Sequence, residues 1–537
     1  MRQKPYDHLS TSGDMDLEWY HQKSLMAVSR RSHFSGPHGG LLIRVDARSR
    51  VGLQQQIYAA VRRAILDGVV PPGMRLASSR ALAEDLCVSR TTTLLAYEQL
   101  TAEGYLATHH GSGTFVAHEL PDDLARVSPP RPAARTRHPP LSRRGVALAA
   151  TPSPPRRIPG PPRPFRLGAP GLDLFPLRLW SQLVNRRLKA VTLSQLDYGD
   201  AAGFRGLREA IADHVQAARG TRCTADQVVV VAGAQRGLEQ ICDFVLDPGD
   251  AAWLEEPGYF GARSALAGAG ARIVPVAVDD HGLNVDAGVA RARNARLVYV
   301  TPSHQFPLGV PMSLSRRLAL LKWAGAASAW VVEDDYDSEF RYGARPVPCL
   351  HGLDVDGRVI YIGSFSKTLF PALRLGFLIV PADLREPLVS ARRAAEVHPP
   401  LLEQAVLAEF MAGGHFARHL RRMRAAYRER LEALVAAAER YCAGVLHVRP
   451  VKTGLHAVAD LEDVPAEVVC REARDRGVDV TPLAAYYLRR PRGTNGLVLG
   501  FGAVGPDAIR GGMERLAVAI EAARRLRRSP SGARRAS

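Results

Sequence analysis

The N-terminal part of the chain has the hydrophobic pattern of a small domain of short helices closed by a hairpin. Apolar residues recur at helical spacing over 53–68, a stretch that ends at a glycine suited to a C-cap. Two shorter helices joined by a tight turn are predicted over 78–86, which opens with N-cap serines, and over 89–100. Alternation around a glycine-rich tip predicts a hairpin over 104–116.

The longer second part alternates between buried-strand and helix patterns, which predicts an α/β fold. The run Val228–Val231 is a buried strand, and a tight glycine turn and a helix start follow it. The stretch Val331–Tyr336 is an apolar strand that ends in carboxylates. Strand ends of this kind commonly present acidic side chains to a bound ligand, so both strand ends are candidates for a binding site.

Composition restricts the class of protein. The chain has 537 residues, 46% of them apolar, and no apolar run is long enough to cross a bilayer, so we expect no membrane partner. Its six cysteines include no Cys-x-x-Cys pair, and no secretory leader is evident. These features favour the cytoplasm and give no indication of a metal site.

The net charge of +18 is unevenly distributed along the chain. Residues 41–118 carry eight arginines and six acidic residues, whereas 119–163 carries nine arginines, three acidic residues and twelve prolines. The last fifteen residues, 523–537, carry six arginines and no acid. The proline-rich stretch predicts an extended, semi-rigid linker, whose arginines either attract DNA phosphates or keep the linker solvated.

The candidate chemistry centres on Lys367, in the run Gly363–Gly376. A lysine that forms a Schiff base with pyridoxal 5′-phosphate (PLP) needs hydroxyls and a guanidinium nearby for the cofactor phosphate. Ser364, Ser366 and Arg374 suit that role.

Two residues of the carboxylate-ended strand complete this constellation. Asp334 is placed to pair with the pyridine nitrogen, and Tyr336, on the same side of the extended segment, to bond the ring oxygen.

Two further segments fit the same pocket. Gly233, Ala234 and Gln235 form the turn after the valine strand, where free helix N–H groups can receive a phosphate. Tyr259 follows a turn at Pro257, and its ring could stack on the cofactor ring, although ordinary core packing also explains it.

These motifs, together with Asp197–Asp200 and Thr301–Pro307, resemble a fold-type-I aminotransferase domain over residues 164–522. The resemblance implies a mostly parallel sheet wrapped by helices, with a small C-terminal subdomain. It also implies a homodimer with a domain-swapped arrangement, in which Tyr198 reaches the partner's cofactor phosphate. The chain departs from the family at Phe306, where many aminotransferases carry an asparagine that bonds the ring oxygen.

The N-terminal domain resembles the GntR winged helix-turn-helix, in which the second short helix enters the DNA major groove and the hairpin is the wing. One proline of the family pattern is replaced by Ala77. The residues that this resemblance brings to double-stranded DNA are Ser79, Arg80, Ser89, Arg90, Thr91, Thr92, Gly111, Ser112, Gly113 and Thr114. The combination of both domains resembles the MocR/PdxR regulators over residues 41–522.

The sequence therefore predicts a multidomain protein, a mostly α winged helix-turn-helix joined to an α/β PLP-dependent domain. The predicted segments are a disordered extension or early-start artefact over 1–40, the DNA-binding domain over 41–118, the linker over 119–163, the PLP-binding effector domain over 164–522 and a disordered basic tail over 523–537.

The function predicted is that of a sequence-specific regulator that senses PLP or an amine that reacts with it. Typical aminotransferases clamp the substrate carboxylate with an arginine in a C-terminal strand, and the matching segment 495–502 has none. Arg489, Arg490 and Arg492 lie close by in sequence as substitutes. The missing arginine favours PLP itself as the signal and control of genes for vitamin B6 or amine metabolism. A working PLP-dependent aminotransferase with an attached DNA-binding domain is the alternative.

Overall fold

A computed structural model describes residues 30–33, 42–109, 111–121, 140–151, 160–343, 347–491 and 493–528. The chain divides into two compact units, residues 1–139 and 140–537. In the described residues no helix combines the length and the apolar character needed to cross a membrane.

In its described residues, the first unit contains three helices and two antiparallel strand pairs. Its elements are β1 (Arg30–His33), β2 (Leu42–Val45), α1 (Leu53–Leu66), α2 (Ser79–Leu86), α3 (Arg90–Ala102), β3 (Leu106–His109) and β4 (Gly113–Val116). Strands β1 and β2 pair antiparallel, as do β3 and β4. Fully buried Ile57, Val61, Leu82, Ala96 and Leu100 pack the three helices against one another.

Local sequence signals set the helix ends in this unit. The Ser78 hydroxyl accepts the Ala81 N–H at the start of α2, and Ser89 accepts the Thr92 N–H at the start of α3. Between them Cys87 adopts the left-handed conformation, with φ 49°, which turns the chain sharply. The three predicted helices and the hairpin are thus present, with α3 ending two residues later than predicted.

The second unit contains an eight-stranded sheet in the order β5-β12-β11-β10-β9-β6-β7-β8 and an antiparallel four-stranded sheet in the order β13-β14-β16-β15. The strands are β5 (Val228–Val231), β6 (Ala251–Glu256), β7 (Arg272–Asp279), β8 (Gly282–Leu283), β9 (Leu297–Val300), β10 (Trp330–Asp335), β11 (Val359–Ser364), β12 (Gly376–Ile379), β13 (Leu446–Val448), β14 (His456–Leu461), β15 (Thr481–Pro482) and β16 (Gly496–Gly500). Strand β12 runs antiparallel to both neighbours, while β7, β6, β9, β10 and β11 are parallel.

Helices cover these sheets. They are α4 (Arg143–Ala150), α5 (Leu177–Lys189), α6 (Arg205–Arg219), α7 (Ala234–Val245), α8 (Phe260–Gly268), α9 (Val285–Ala292), α10 (Leu314–Ala327), α11 (Leu350–Leu353), α12 (Ala382–Ala395), α13 (Leu401–Ala412), α14 (His415–Cys442), α15 (Ala466–Asp475) and α16 (Pro506–Arg528). Because the central strands are parallel, their carboxyl ends meet at one edge of the sheet, where the candidate site lies. The predicted α/β fold with a mostly parallel sheet and a smaller C-terminal subdomain is confirmed.

The structure differs from the expected linker. Helix α4 lies inside the stretch predicted to be extended, begins at the N-cap Ser142 and packs on α8, with Arg144 paired to Asp243 at 2.8 Å. The physical reason is local: residues 141–151 contain no proline and carry the apolar side chains of Val146 and Leu148.

Both predicted disordered ends also contain regular structure. Helix α16 continues to Arg528, so the first residues of the expected tail are helical, and an Arg524–Glu521 pair at 2.8 Å lies in its last turns. Strand β1 lies inside the predicted N-terminal extension. The rest of that extension and residues 529–537 lie outside the described residues.

Candidate cofactor site and nucleic-acid interface

Lys367 follows the carboxyl end of β11 and is half-buried. Its Nζ donates to the carbonyl oxygen of Gly168 at 2.7 Å. Gly168 has φ +68°, a backbone conformation that favours glycine, and a Cβ there would lie 2.8 Å from Nζ, so the end of the lysine side chain would have to move. The segment around Gly168 is held in place where the Gly500 N–H donates to the Phe165 carbonyl at 3.0 Å. The lysine is therefore held by an anchored backbone.

Asp334, at the end of β10, is the buried acid of the site. One carboxyl oxygen accepts the Tyr299 hydroxyl at 2.6 Å, and the other, Oδ1, is buried without a hydrogen-bond partner among the described residues. Burial raises the pKa of this carboxyl to about 7, against the opposing effects of Tyr299 and Lys367. An unsatisfied carboxyl oxygen in such a place suits a protonated ring nitrogen.

The raised pKa of Asp334 gives a testable pH dependence in the ligand-free protein. The folded state disfavours the carboxylate, so Asp334 costs stability progressively as pH rises from about 4 to about 7, and the cost is constant above. We expect Asp334→Asn to have a higher free energy of unfolding than the wild type, by a difference that grows across this range to about 2–4 kcal/mol at pH 8. Thermal unfolding of both proteins between pH 5 and pH 8 measures this difference. Asp280→Asn, at an exposed position, is the control, and a constant difference at all pH values contradicts the assignment.

The predicted phosphate-binding residues lie together. Gly233, with φ +93°, precedes α7, and a Cβ there would lie 3.4 Å from the guanidinium carbon of Arg374. Arg374 donates to the Ala232 carbonyl at 3.2 Å, and the Ser366 N–H donates to the Ser364 hydroxyl at 3.2 Å. The start of α7 and the Arg374 guanidinium thus lie next to each other, and β12 joins the serine-bearing end of β11 to the end of β5, an arrangement that suits a phosphate.

Gln235 and Tyr259 contact other protein groups near the predicted cofactor pocket. The Gln235 amide donates to the Gly261 carbonyl at 3.0 Å, so it ties α7 to α8. The Tyr259 ring is nearly parallel to that of Tyr299, with 6.5 Å between centroids, and burial raises the pKa of its hydroxyl to about 12. Tyr259 therefore presents a neutral ring next to the tyrosine that binds Asp334.

Tyr336 and Tyr198 have contacts that the sequence did not indicate. The buried Tyr336 hydroxyl donates to the His304 carbonyl at 2.8 Å. Tyr198 is 80% exposed, with its ring edge towards His398 at 6.2 Å. Its role across a dimer interface therefore stays a prediction.

Of the three arginines considered as substitutes for the substrate clamp, one has its guanidinium in an ion pair, one is bonded through its backbone, and one is not described. Arg490 pairs with Glu467 at 2.7 Å and donates to the Thr494 carbonyl at 2.8 Å. The backbone N–H of Arg489 donates to Glu256 at 2.7 Å. Arg492 lies outside the described residues. The contacts of Arg490 commit it to a partly exposed ion pair.

Sequence reasoning missed a group of three buried side chains, His304, Asp337 and His456. Their ligand-capable atoms lie within 4.8 Å of one another, and among the described residues no other group of this kind occurs. Two internal hydrogen bonds use their ring nitrogens: His304 Nδ1 lies 3.0 Å from Asp337, and His456 Nε2 lies 3.0 Å from the Pro307 carbonyl. The wide separation of the three residues in sequence hid the group.

In the first unit, the N-terminal end of α3 is exposed to solvent. Ser89, Arg90 and Thr91 are exposed, while Thr92 bonds the Ser89 hydroxyl at 2.7 Å. In the preceding helix Arg80 is exposed and lies 3.2 Å from Glu84.

The wing contributes a second exposed surface. Gly111 and Ser112 lie at its tip, next to Gly113 and Thr114. A Cβ at Gly113 would lie 2.9 Å from Nε of Arg75, an exposed arginine beneath the wing that the sequence reading had not singled out. The unit thus presents an arginine at the start of α3 and another at the wing.

Comparison with known proteins defines the family. Residues 53–116 match the family described as bacterial regulatory proteins, gntR family, and 182–495 match aminotransferase class I and II. The probable rhizopine catabolism regulatory protein MocR of Rhizobium meliloti is 40% identical over 477 residues, which is 88% of this chain and 94% of that protein. The chain belongs to the MocR/PdxR-type regulators of the GntR family. It is a DNA-binding transcription regulator with an aminotransferase-like domain.

Two further comparisons agree with the identification of this MocR-type regulator. The pyridoxine biosynthesis regulator PdxR of Corynebacterium glutamicum is 32% identical, covering 88% of this chain and 96% of that protein. The solved structure of the α-aminoadipate aminotransferase LysN from Thermus thermophilus, complexed with N-(5′-phosphopyridoxyl)-L-leucine, is 29% identical with a TM-score of 0.62 over 67% of this chain and 92% of that chain. Aminotransferases of this fold type depend on PLP.

Proposed function

We propose that this MocR-type regulator binds PLP at Lys367 and that loading of the lysine sets its affinity for operator DNA. The observation that carries the proposal is the buried Asp334 carboxyl, which has an unsatisfied Oδ1 and lies within electrostatic range of Lys367. A buried polar atom without a partner is costly, and a ring nitrogen bearing a proton would satisfy it. The phosphate-binding residues next to Gly233 support the same ligand.

Each residue of the site has a separate role in binding PLP. When bound, PLP supplies an aldehyde that reacts with amines and a ring that withdraws electrons. Lys367 provides the amine, and Asp334 holds a proton at the ring nitrogen. Tyr259 would lie against the ring face, and the Tyr336 hydroxyl would donate to the ring oxygen. The phosphate is bound by Gly233, Ala234, Gln235, Ser364, Ser366 and Arg374.

The DNA-binding unit reads a double-stranded operator. Arg90 at the start of α3 enters the major groove, and the wing, with Arg75 beneath Gly113, approaches the backbone. We propose a cytoplasmic homodimer in which Tyr198 of one subunit serves the phosphate of the other. Such a dimer presents two winged helices, so the operator would contain two half-sites.

The structure favours PLP itself as the signal. Strand β16 has no arginine and the Arg490 guanidinium is held by Glu467, so neither supplies the guanidinium that an aminotransferase uses to position a substrate carboxylate. The pyridoxine biosynthesis in the name of PdxR supports control of vitamin B6 genes, whereas the rhizopine catabolism in the name of MocR supports an external effector taken from a catabolic route.

The test is to titrate the purified protein onto the DNA upstream of its own gene, with PLP and after its removal, at one fixed salt concentration. A change in affinity with PLP supports the proposed function. Specific binding that ignores PLP alone but responds to an added amine places the signal outside the cofactor. Absence of specific binding, together with turnover of amino acids, returns the aminotransferase alternative.

A further inference from the structure

His304, Asp337 and His456 form a buried polar cluster that contacts Tyr336 through His304. Their side chains are only 2–3% exposed. His304 Nδ1 lies 3.1 Å and 3.0 Å from the two carboxyl oxygens of Asp337, so an N–H on that nitrogen donates to the carboxylate. The Leu455 N–H also donates to Asp337, at 3.3 Å. Asp337 therefore anchors the His304 ring.

Tyr336 is joined to this cluster by its hydroxyl. The hydroxyl donates to the His304 carbonyl at 2.8 Å, and its oxygen lies 3.1 Å from His304 Nδ1. Within the described residues, these are the hydrogen-bond contacts of this hydroxyl, and both are with His304. The position of the hydroxyl thus depends on where His304 is held.

The position of the His304 ring is tightly bounded. A Cβ at Gly454 would lie 2.0 Å from Cε1 of the ring, and a Cβ at Gly309 would lie 3.2 Å from Nε2. The ring of His456 lies 4.5 Å away between centroids and is itself pinned where Nε2 donates to the Pro307 carbonyl at 3.0 Å. Two glycines and a second histidine therefore leave the ring little freedom.

The neighbouring Phe306 makes the position of the Tyr336 hydroxyl important. Phe306 contacts Tyr336 edge-on at 6.0 Å and stands where many aminotransferases have an asparagine amide. A phenyl ring donates no hydrogen bond, so the Tyr336 hydroxyl has to supply the hydrogen bond to the ring oxygen.

We infer that Asp337 and His304 are positioning residues for Tyr336: they fix the place of its hydroxyl oxygen, whose proton is accepted by the His304 carbonyl in this structure and would be accepted by the ring oxygen of PLP when PLP is bound. The inference rests on the proposed function, because it requires PLP at Lys367. Asp337 and His304 act only through Tyr336.

Other charged groups face the same tyrosine and lysine. Those close enough to act on Tyr336, His456 or Lys367 are Glu255, Asp334, Asp335, Asp337 and His304. The test must therefore separate the position of a hydroxyl from the direct effect of a charge.

The two effects have opposite signs. A hydroxyl that donates to the ring oxygen stabilises negative charge there, so it lowers the pH at which the imine of lysine-bound PLP loses its proton. The Asp337 carboxylate acting directly would favour the protonated cation and raise that pH. Loss of positioning therefore raises the midpoint, whereas loss of a directly acting negative charge lowers it.

The experiment is a pH titration of the absorbance of the full-length, PLP-loaded protein. We expect Tyr336→Phe to raise the midpoint by about one pH unit or more, since hydrogen bonds to charged groups are worth that much. Asp337→Asn should raise it by a smaller amount, and the double variant should not exceed Tyr336→Phe alone. Asp460→Asn, which removes a partly exposed negative charge on β14, should leave it unchanged.

Several results would overturn the inference. A lowered midpoint in Asp337→Asn shows that the carboxylate acts by its charge, and additive shifts in the double variant show that it acts independently of Tyr336. If Asp337→Asn does not fold, His304→Gln is measured instead, with a raised midpoint expected and an unchanged or lowered one counting against the idea. A wild-type protein that gives no PLP absorbance refutes the proposed function itself, which is a distinct outcome.

Discussion

Lys367→Ala is expected to abolish the absorbance of bound PLP and to make operator affinity independent of PLP, while leaving a folded, DNA-binding protein. The substitution removes the amine that captures the aldehyde. It also removes the hydrogen bond from Nζ to the Gly168 carbonyl, which is one half-buried contact and not part of the core. Absorbance after incubation with PLP, followed by DNA titration with and without PLP, measures both effects.

A matched lysine sharpens this result. Lys322 lies on α10, is exposed, and belongs to the same unit. Lys322→Ala should keep the absorbance and the PLP response of the wild type, because Lys322 is not one of the proposed cofactor-binding residues. If PLP instead reacts with surface lysines at random, neither substitution should change the absorbance. An unchanged spectrum in Lys367→Ala refutes the assignment of the lysine.

Arg90→Ala has the second large expected effect, a loss of operator affinity of about 1–3 kcal/mol with the PLP spectrum unchanged. Arg90 is exposed at the first position of α3, and the helix start is capped by Ser89, so the substitution leaves the fold of the unit intact. Competition between operator and random DNA at fixed salt measures the loss, which should be confined to the operator if the guanidinium reads a base.

Two companion variants decide how Arg90 acts. Arg90→Lys keeps the charge but cannot form the two parallel hydrogen bonds of a guanidinium, so a base-reading role predicts a loss close to that of alanine. Arg63→Ala removes an exposed arginine on α1 and controls for net charge. If Arg90→Lys binds like the wild type, or if operator and random DNA weaken equally, the arginine only contacts phosphate.

The local signals of this chain were readable from sequence. The N-cap serines, the hairpin glycines and the valine run of β5 each determine structure through neighbours a few residues away. The motif around Lys367 and the acid at the end of β10 were readable for another reason: parallel strands bring their carboxyl ends to one edge of the sheet, so two strand-end motifs can be placed together without knowing the rest.

The features that escaped prediction depend on contacts between distant segments. The direction of the Tyr336 hydroxyl is set by His304. The position of the His304 ring is set by Asp337 and by the absence of a side chain at Gly454, in the segment before β14. Helix α4 was missed because its proline-rich surroundings dominated the composition, although it needs α8 to pack against. No local pattern carries such information.

The hydrogen bond between Lys367 and Gly168 has a thermodynamic consequence. Gly168 lies just beyond the predicted linker, and Nζ of Lys367 gives up its hydrogen bond to the Gly168 carbonyl when the lysine bonds PLP. If that change alters operator affinity, reciprocity is unavoidable: operator DNA must alter the affinity for PLP by the same factor. A promoter occupied by this regulator would then hold its cofactor differently from the protein free in solution, and each operator site would set its own threshold for vitamin B6.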